Sequence, residues 1–223
     1  MTYDGDRIAV VAAQSGVEVS AAAITASEPA VRAELAQHEW PQHPESASPT
    51  AGGARFFRRV LELAGGRAPG ARGLDQAAER LWAHHLEDNL WSRVLEGVPE
   101  ALGKLRACGL GLCVVSNSEG TLEALLESLG ILPLFDAVLD SWRLGVTKPD
   151  PRIFEIALER LRVPAAQAVM VGDSIKADVA GATGAGIPAA LIDPYDLHPE
   201  ATVPRFTDFS VFAAAVCASL EPA

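Results

Sequence analysis

Residues 168–193 read AVMVGDSIKADVAGATGAGIPAALID. Ala168 to Val171 is a short apolar run closed by Gly172, the pattern of a buried strand in a parallel sheet, whose members are apolar on both faces. Asp173 then stands at the carboxyl end of that strand, where open α/β sheets bind their ligands. Asp178 follows near the start of a small-residue helix that Gly184 or Gly186 can end, and a further apolar run closes the segment at Asp193. Both carboxylates can therefore face one pocket. Two carboxylates offering only oxygen suit magnesium, a hard cation that keeps several waters and takes one or two protein carboxylates beside a phosphate. The alternative is that Asp173 and Asp178 complement a helix dipole and nothing more. This stretch alone leaves both readings open.

Two earlier segments bear on the choice. Gly111 to Val115 is a second apolar run and ends in Ser116-Asn117-Ser118, ahead of a helical stripe of Leu122, Leu125, Leu126 and Leu129 with Gly130 after it. A hydroxyl and backbone amides at a helix start are good phosphate ligands. Ser118 is expected to cap the helix, which leaves Ser116 one turn earlier for another role. Ala137 to Asp140 reads as a third strand, followed by Thr147-Lys148-Pro149-Asp150-Pro151. The two prolines push Lys148 and Asp150 away from helix, and Asp150 with Pro151 makes a helix start whose apolar stripe is Ile153, Ile156, Ala157 and Leu161. Lys148 is thus held on a stiff loop at the carboxyl edge of the sheet, although any single lysine is more commonly a solvated surface group.

Strand-Ser-Asn, then Lys-Pro-Asp-Pro, then Gly-Asp-Ser with Asp178 behind it, in this order with a helix between each, resembles the haloacid dehalogenase superfamily of hydrolases. The match of motifs is detailed over about residues 95–193. The resemblance implies a doubly wound parallel α/β sheet with a helical cap, and magnesium-dependent hydrolysis of a small phosphate ester through an aspartyl-phosphate. It assigns Ser116, Asn117 and Lys148 to the phosphoryl group and Asp173 to magnesium, with Asp178 supporting the metal directly or through water. Fixed positive charge from Lys148 and the metal would then offset the charge on the transferred group. A small phosphorylated metabolite is the partner expected. Halide release from a 2-haloacid is the rival within the family and needs no magnesium, which Asp173 and Asp178 argue against.

The family also needs an aspartate nucleophile at the end of a first central strand, in an Asp-x-Asp-Gly-Thr pattern. The candidates here are Asp4 and Asp6 in Met-Thr-Tyr-Asp-Gly-Asp. Three residues before Asp4 are too few for a buried strand, and Arg7 stands where Gly-Thr would follow. The triplet therefore reads as an acidic leader to a helix from Ile8, and the first strand with its nucleophile is expected to be absent. Three explanations are open: a misassigned or truncated start, a non-catalytic relative acting as a silent binding or scaffold protein, and a partner strand that fills the gap.

Composition accords with this reading. The chain has 223 residues and 49% hydrophobic content, ample for one or two domains. A net charge of −11 argues against binding nucleic acid through a basic surface. With no run of eighteen apolar residues and no basic-then-apolar leader, neither membrane nor secretion is expected, and the compartment is read as cytoplasmic. Cys108, Cys113 and Cys217 lack a metal spacing and are expected as reduced, mostly buried thiols. The oligomeric state is open, a homo-oligomer included.

Residues 1–95 read as a helical cap domain ahead of an α/β core over 96–223. Helices are expected at 8–15, 21–38, 54–64 and 74–91, with a Pro-, Ser- and Gly-rich connector over 41–53. A cap of this kind would cover the site, exclude water and select substrate. His84 and His85 point about 100° apart on a helix and are poorly placed to share an ion, so core or surface roles are preferred. Trp40, Trp82, Trp91 and Trp142 either line a pocket or pack between helices. GATGAG at 181–186 has the wrong spacing for a dinucleotide site.

Overall fold

The computed structural model describes residues 1–37 and 49–220. Trp40 and most of the expected connector lie outside the described residues. The chain divides into two compact units, Met1–Arg93 and Val94–Ala223. Among the described residues no helix is long and apolar enough to cross a membrane.

The first unit is helical: α1 (Gly5–Ala13), α2 (Ala21–Ala26), α3 (Glu28–Gln37), α4 (Pro49–Leu63) and α5 (Gly73–Glu87). Asp4 starts α1 earlier than expected, because its carboxylate accepts the Asp6 and Arg7 amides at 3.0 and 3.1 Å. The helix expected over 21–38 is broken at Ser27, whose hydroxyl turns back on the Ile24 carbonyl at 2.7 Å. Pro29 explains the break: it has no N–H for the Thr25 carbonyl, and its ring crowds that oxygen. Similarly, α5 stops short of Trp91. Asp88 turns extended, and the buried His85 accepts the Leu90 amide on Nδ1 at 3.1 Å. The core holds Ile8, Ile24, Phe57, Val60, Leu61, Leu81 and Leu90 without solvent exposure. Each such side chain contributes about 1.5–3 kcal/mol of transfer free energy. His85 stacks on Trp82, and Trp91 lies against Phe56, so both tryptophans and this histidine belong to the core.

The second unit alternates helix and strand: α6 (Val98–Ala107), β1 (Cys113–Ser116), α7 (Leu122–Ser128), β2 (Ala137–Asp140), α8 (Ser141–Leu144), α9 (Pro151–Leu161), β3 (Met170–Gly172), a wide-turned π-helix (Ile175–Ala180), α10 (Gly181–Gly184), β4 (Ala189–Ile192), β5 (Arg205–Phe206) and α11 (Phe209–Leu220). Every strand pairing is parallel, and Ser116 lies in register with Asp140. The single sheet expected from the sequence is present as two pieces, β1-β2 and β3-β4-β5. Both pieces cover one core, since Val115 of β1 and Met170 of β3 pack against one buried cluster of Ile153, Phe154, Ala182 and Ile187. The strands β1 and β3 are half-exposed, although their apolar sequences suit burial on both faces. Each is paired along one side, and no described strand lies between them.

Expectation and structure agree on α9. Asp150 accepts the Arg152 amide at 2.9 Å, Pro151 opens the helix, and Ile153 and Ala157 are buried as expected, whereas Ile156 and Leu161 are half-buried and Phe154, outside the expected stripe, is buried. Leu122, Leu125 and Leu126 of α7 are likewise buried. The cysteines correct the sequence reading. Cys108, just after α6, and Cys217 of α11 form a disulfide with Cα atoms 6.1 Å apart, created by the packing of α11 on α6 through Ala101, Leu105 and Ala213. A separation of 109 residues hides that pairing in the sequence. Cys113 stays free, its thiol pushed up to about 12 by burial, with Asp136 adding to the rise and Arg160 opposing it.

Candidate phosphate and metal site

All five strands of the second unit run in the same sense within their pieces, so the strand ends gather Ser116, Asp140, Asp173 and Asp193 at carboxyl edges. The first of these ends is tied to the loop holding Lys148. The Lys148 ammonium donates to the Val115 carbonyl at 2.8 Å and to Asp178 Oδ1 at 2.7 Å. Its backbone N–H donates to Asn117 Oδ1 at 2.8 Å, and its carbonyl accepts from Asn117 Nδ2 at 3.0 Å. Ser116 is therefore bracketed by two residues that both hold Lys148. The three segments singled out in the sequence meet at this lysine.

The acidic loop folds around Asp178. Hydrogen bonds from the Asp178 and Val179 amides both reach the Ser174 carbonyl, at 3.0 and 3.1 Å, which widens the turn into the π-helix. The Asp178 carboxylate thereby swings back under its own loop, and Oδ2 accepts the Asp173 and Ser174 amides at 3.1 and 3.0 Å. Gly172 is required for this approach. A Cβ at that position would stand 2.2 Å from Asp178 Oδ2. Asp178 is 4% exposed, whereas Asp173 is exposed. Among the described residues no group of three or more His, Cys, Asp or Glu side chains converges as a ready metal cage. Two oxygen-donor carboxylates on one loop is the set available.

Two strand-end acids missed at the sequence level organise the neighbouring loops. The buried Asp140 accepts the Gly120 and Trp142 amides on Oδ1 at 3.1 and 3.0 Å and the Leu122 amide on Oδ2 at 3.2 Å. Ser141 adds a hydroxyl that accepts from Ser118 N at 3.0 Å and donates to Ser118 O at 3.2 Å. This corrects the expectation that Ser118 caps α7: the helix starts at Leu122, Thr121 makes no side-chain cap, and Asp140 satisfies the first amide from the adjacent strand. Asp193 accepts the Leu197 and His198 amides and the Arg205 guanidinium at 2.9, 3.0 and 3.1 Å. Burial pushes its carboxyl upward, but the two amides and Arg205 outweigh burial and hold it below the ordinary carboxylate range. The reasoning that found Asp173, an acid at the end of an apolar run, applies equally to Asp140 and Asp193.

Asp4 and Asp6 belong to the first unit. The Asp4 carboxylate caps α1, and Asp6 is exposed in the first turn of that helix. Trp142, two residues after Asp140, is 53% exposed and lies over Gly120.

The profile of the haloacid dehalogenase-like hydrolases matches residues 8–186. The chain belongs to that family. Haloacid dehalogenase-like hydrolase domain-containing protein 3 of Mus musculus is 38% identical over 149 residues, which cover 66% of this chain and 58% of that protein. A ribulose-1,5-bisphosphate 5-phosphatase of Halopiger xanaduensis is 37% identical over 142 residues, covering 62% of this chain and 57% of the relative. The chain thus matches less than two thirds of the length of these curated relatives. In fold, this haloacid dehalogenase-like chain resembles the HAD-hydrolase YfnB of Bacillus subtilis, solved bound to magnesium, with a TM-score of 0.63 at 18% identity over 96% of this chain and 93% of that one.

Proposed function

We propose that this haloacid dehalogenase-like chain binds a small phosphate ester with magnesium and serves its hydrolysis. The observation that carries the reading is the convergence on Lys148 of β1, through the Val115 carbonyl and Asn117, and of the acidic loop, through Asp178. A cation fixed by three partners beside a strand-end serine suits a transferring phosphoryl group, whose charge must be met by groups that need not reorganise. Ser116 would donate its hydroxyl to a phosphate oxygen, and Lys148 would neutralise the group.

The donor set fits magnesium. Asp173 is the exposed carboxylate and would bind directly, while Asp178, with three donors already on its oxygens, would support the ion through water. Bound there, magnesium would stabilise charge on the phosphate oxygens. The protein's own share is the placement of Asp173 by the Asp178 clamp and of Lys148 by its three partners. The helical unit Met1–Arg93 would act as a cap that selects substrate.

A second reading, binding of phosphate without turnover, is favoured by the use of the carboxylates. Among the described strand-end acids and their loops in the second unit, Asp140, Asp178 and Asp193 are buried and committed to backbone amides or to cations. Nucleophilic attack would need a carboxylate other than these three. The test is magnesium-dependent release of phosphate from a panel of phosphomonoesters, together with calorimetric titration of inorganic phosphate, for the parent chain and Asp173→Asn. Turnover abolished in Asp173→Asn supports the hydrolase. Phosphate binding without turnover supports the second reading, and the absence of both overturns the two together.

A further inference from the structure

We propose that Asn117 is a positioning residue that sets Lys148, an inference that rests on the reading of Lys148 as a phosphate ligand. The Asn117 side chain makes a two-point contact with the backbone of one distant residue, accepting from Lys148 N at 2.8 Å and donating to Lys148 O at 3.0 Å. This is the pattern by which one strand residue holds another, supplied here by a side-chain amide across a separation of 31 residues. The pairing also fixes which way round the amide sits, since the reverse orientation would set NH2 against N–H and oxygen against oxygen.

The loop needs such a clamp. Pro149 brings no amide hydrogen, and it bars Lys148 from helical geometry, so residues 147–149 have no regular structure to hold them. The one backbone bond across the turn runs from Asp150 N to Thr147 O at 2.9 Å and leaves Lys148 to its side-chain partner. With its backbone held by Asn117, Lys148 reaches Val115 O and Asp178 Oδ1 with its side chain, of which 11% is exposed. Asn117 adjoins Ser116, so one dipeptide at the end of β1 supplies both a phosphate donor and the clamp on the cation. On this inference Asn117, which the family resemblance assigns to the phosphoryl group, acts through Lys148.

The chain's lysines are Lys104, Lys148 and Lys176, and Lys104 and Lys176 are exposed, so acylation by an amine-reactive ester followed by peptide mass spectrometry reads Lys148 against two internal references. In Asn117→Ala the labelling of Lys148 is expected to rise about tenfold relative to Lys104 and Lys176, the effect of losing two hydrogen bonds. Asn117→Asp keeps the acceptor for Lys148 N–H but sets an oxygen against Lys148 O, and is expected to fall between. Labelling of Lys148 that does not change in either variant overturns the proposal. Inorganic phosphate separates this inference from the reading beneath it. Phosphate that fails to shield Lys148 in the parent, while Asn117→Ala still opens it, upholds the clamp and removes the phosphate site. Shielding by phosphate with no effect of Asn117→Ala does the reverse. Should the variants not fold, amide hydrogen exchange in the parent decides: Lys148 N–H is expected to exchange at least tenfold slower than in an unstructured peptide, and an equal rate overturns the clamp.

Discussion

Lys148 Nζ lies 2.7 Å from Asp178 Oδ1, and the two side chains are 11% and 5% exposed. A pair this buried gains little over a well-packed apolar replacement, because desolvation offsets most of the attraction. Removing one partner alone is costly, since the other charge stays behind without its counter-ion.

Asp178→Ala is therefore expected to lose about 3–5 kcal/mol of unfolding free energy at neutral pH. Asp178→Ala combined with Lys148→Met is expected to lose less than the sum of the single changes, by about 1–3 kcal/mol. Urea unfolding of the four proteins checks both numbers. Strict additivity would show that the ion pair is not what the two residues share.

Gly172→Ala tests the clamp from the other side. A Cβ 2.2 Å from Asp178 Oδ2 must displace a carboxylate that holds the Asp173 and Ser174 amides. The expected cost is about 2–3 kcal/mol, with magnesium affinity weakened in the same variant because Asp173 loses its placement. Calorimetric titration of magnesium beside a thermal melt separates the two effects. Unchanged stability would mean that the loop accommodates the methyl group without moving Asp178.

Asp193 makes stability depend on pH with a definite sign. Its carboxyl is held below the ordinary 3.8 in the folded chain, so the folded state favours the charged form. That contribution is complete above about 3.8 and fades as pH falls through the lower folded value. Asp193→Asn is expected to cost about 2 kcal/mol at pH 7 and progressively less below pH 4. Denaturant melts at several pH values read the difference directly, and a gap that widens on acidification would contradict the hydrogen-bond pattern.

Reduction of the Cys108–Cys217 disulfide is expected to cost about 2–4 kcal/mol, given the long loop of 109 residues that it closes. Cys108→Ser should reproduce that loss without added reductant. Cys113 is expected to alkylate more slowly at pH 7.5 in the native than in the denatured protein, because it is half-buried and its thiol is pushed up to about 12. Thiol counting with and without denaturant checks both statements; a native Cys113 that reacts as fast as the denatured one would count against the raised thiol.

Several elements were legible because their causes are local. Asp150-Pro151 starts α9 by its own chemistry, and the leucines of α7 recur at helical spacing. The break at Ser27 was legible in principle through Pro29, whose missing N–H outweighs the continuing alanine-rich pattern. The capping of α7 was not, because its cap is Asp140 on another strand. Nor was the disulfide, since it depends on α11 returning to α6.

By itself the sequence determined the family, the alternation of strand and helix after Val94, and the residues Ser116, Asn117, Lys148, Asp173 and Asp178 as candidates, because residue type and spacing along the chain suffice for these. Tertiary structure alone decided what each candidate touches. It turned Asn117 onto the backbone of Lys148, spent the Asp178 carboxylate on two amides and an ammonium, and divided the sheet into two parallel pieces around one core. Hydrogen-bond partners 20 and 31 residues apart, and the choice of which strand edges pair, follow from how the helices pack, and no local pattern encodes that.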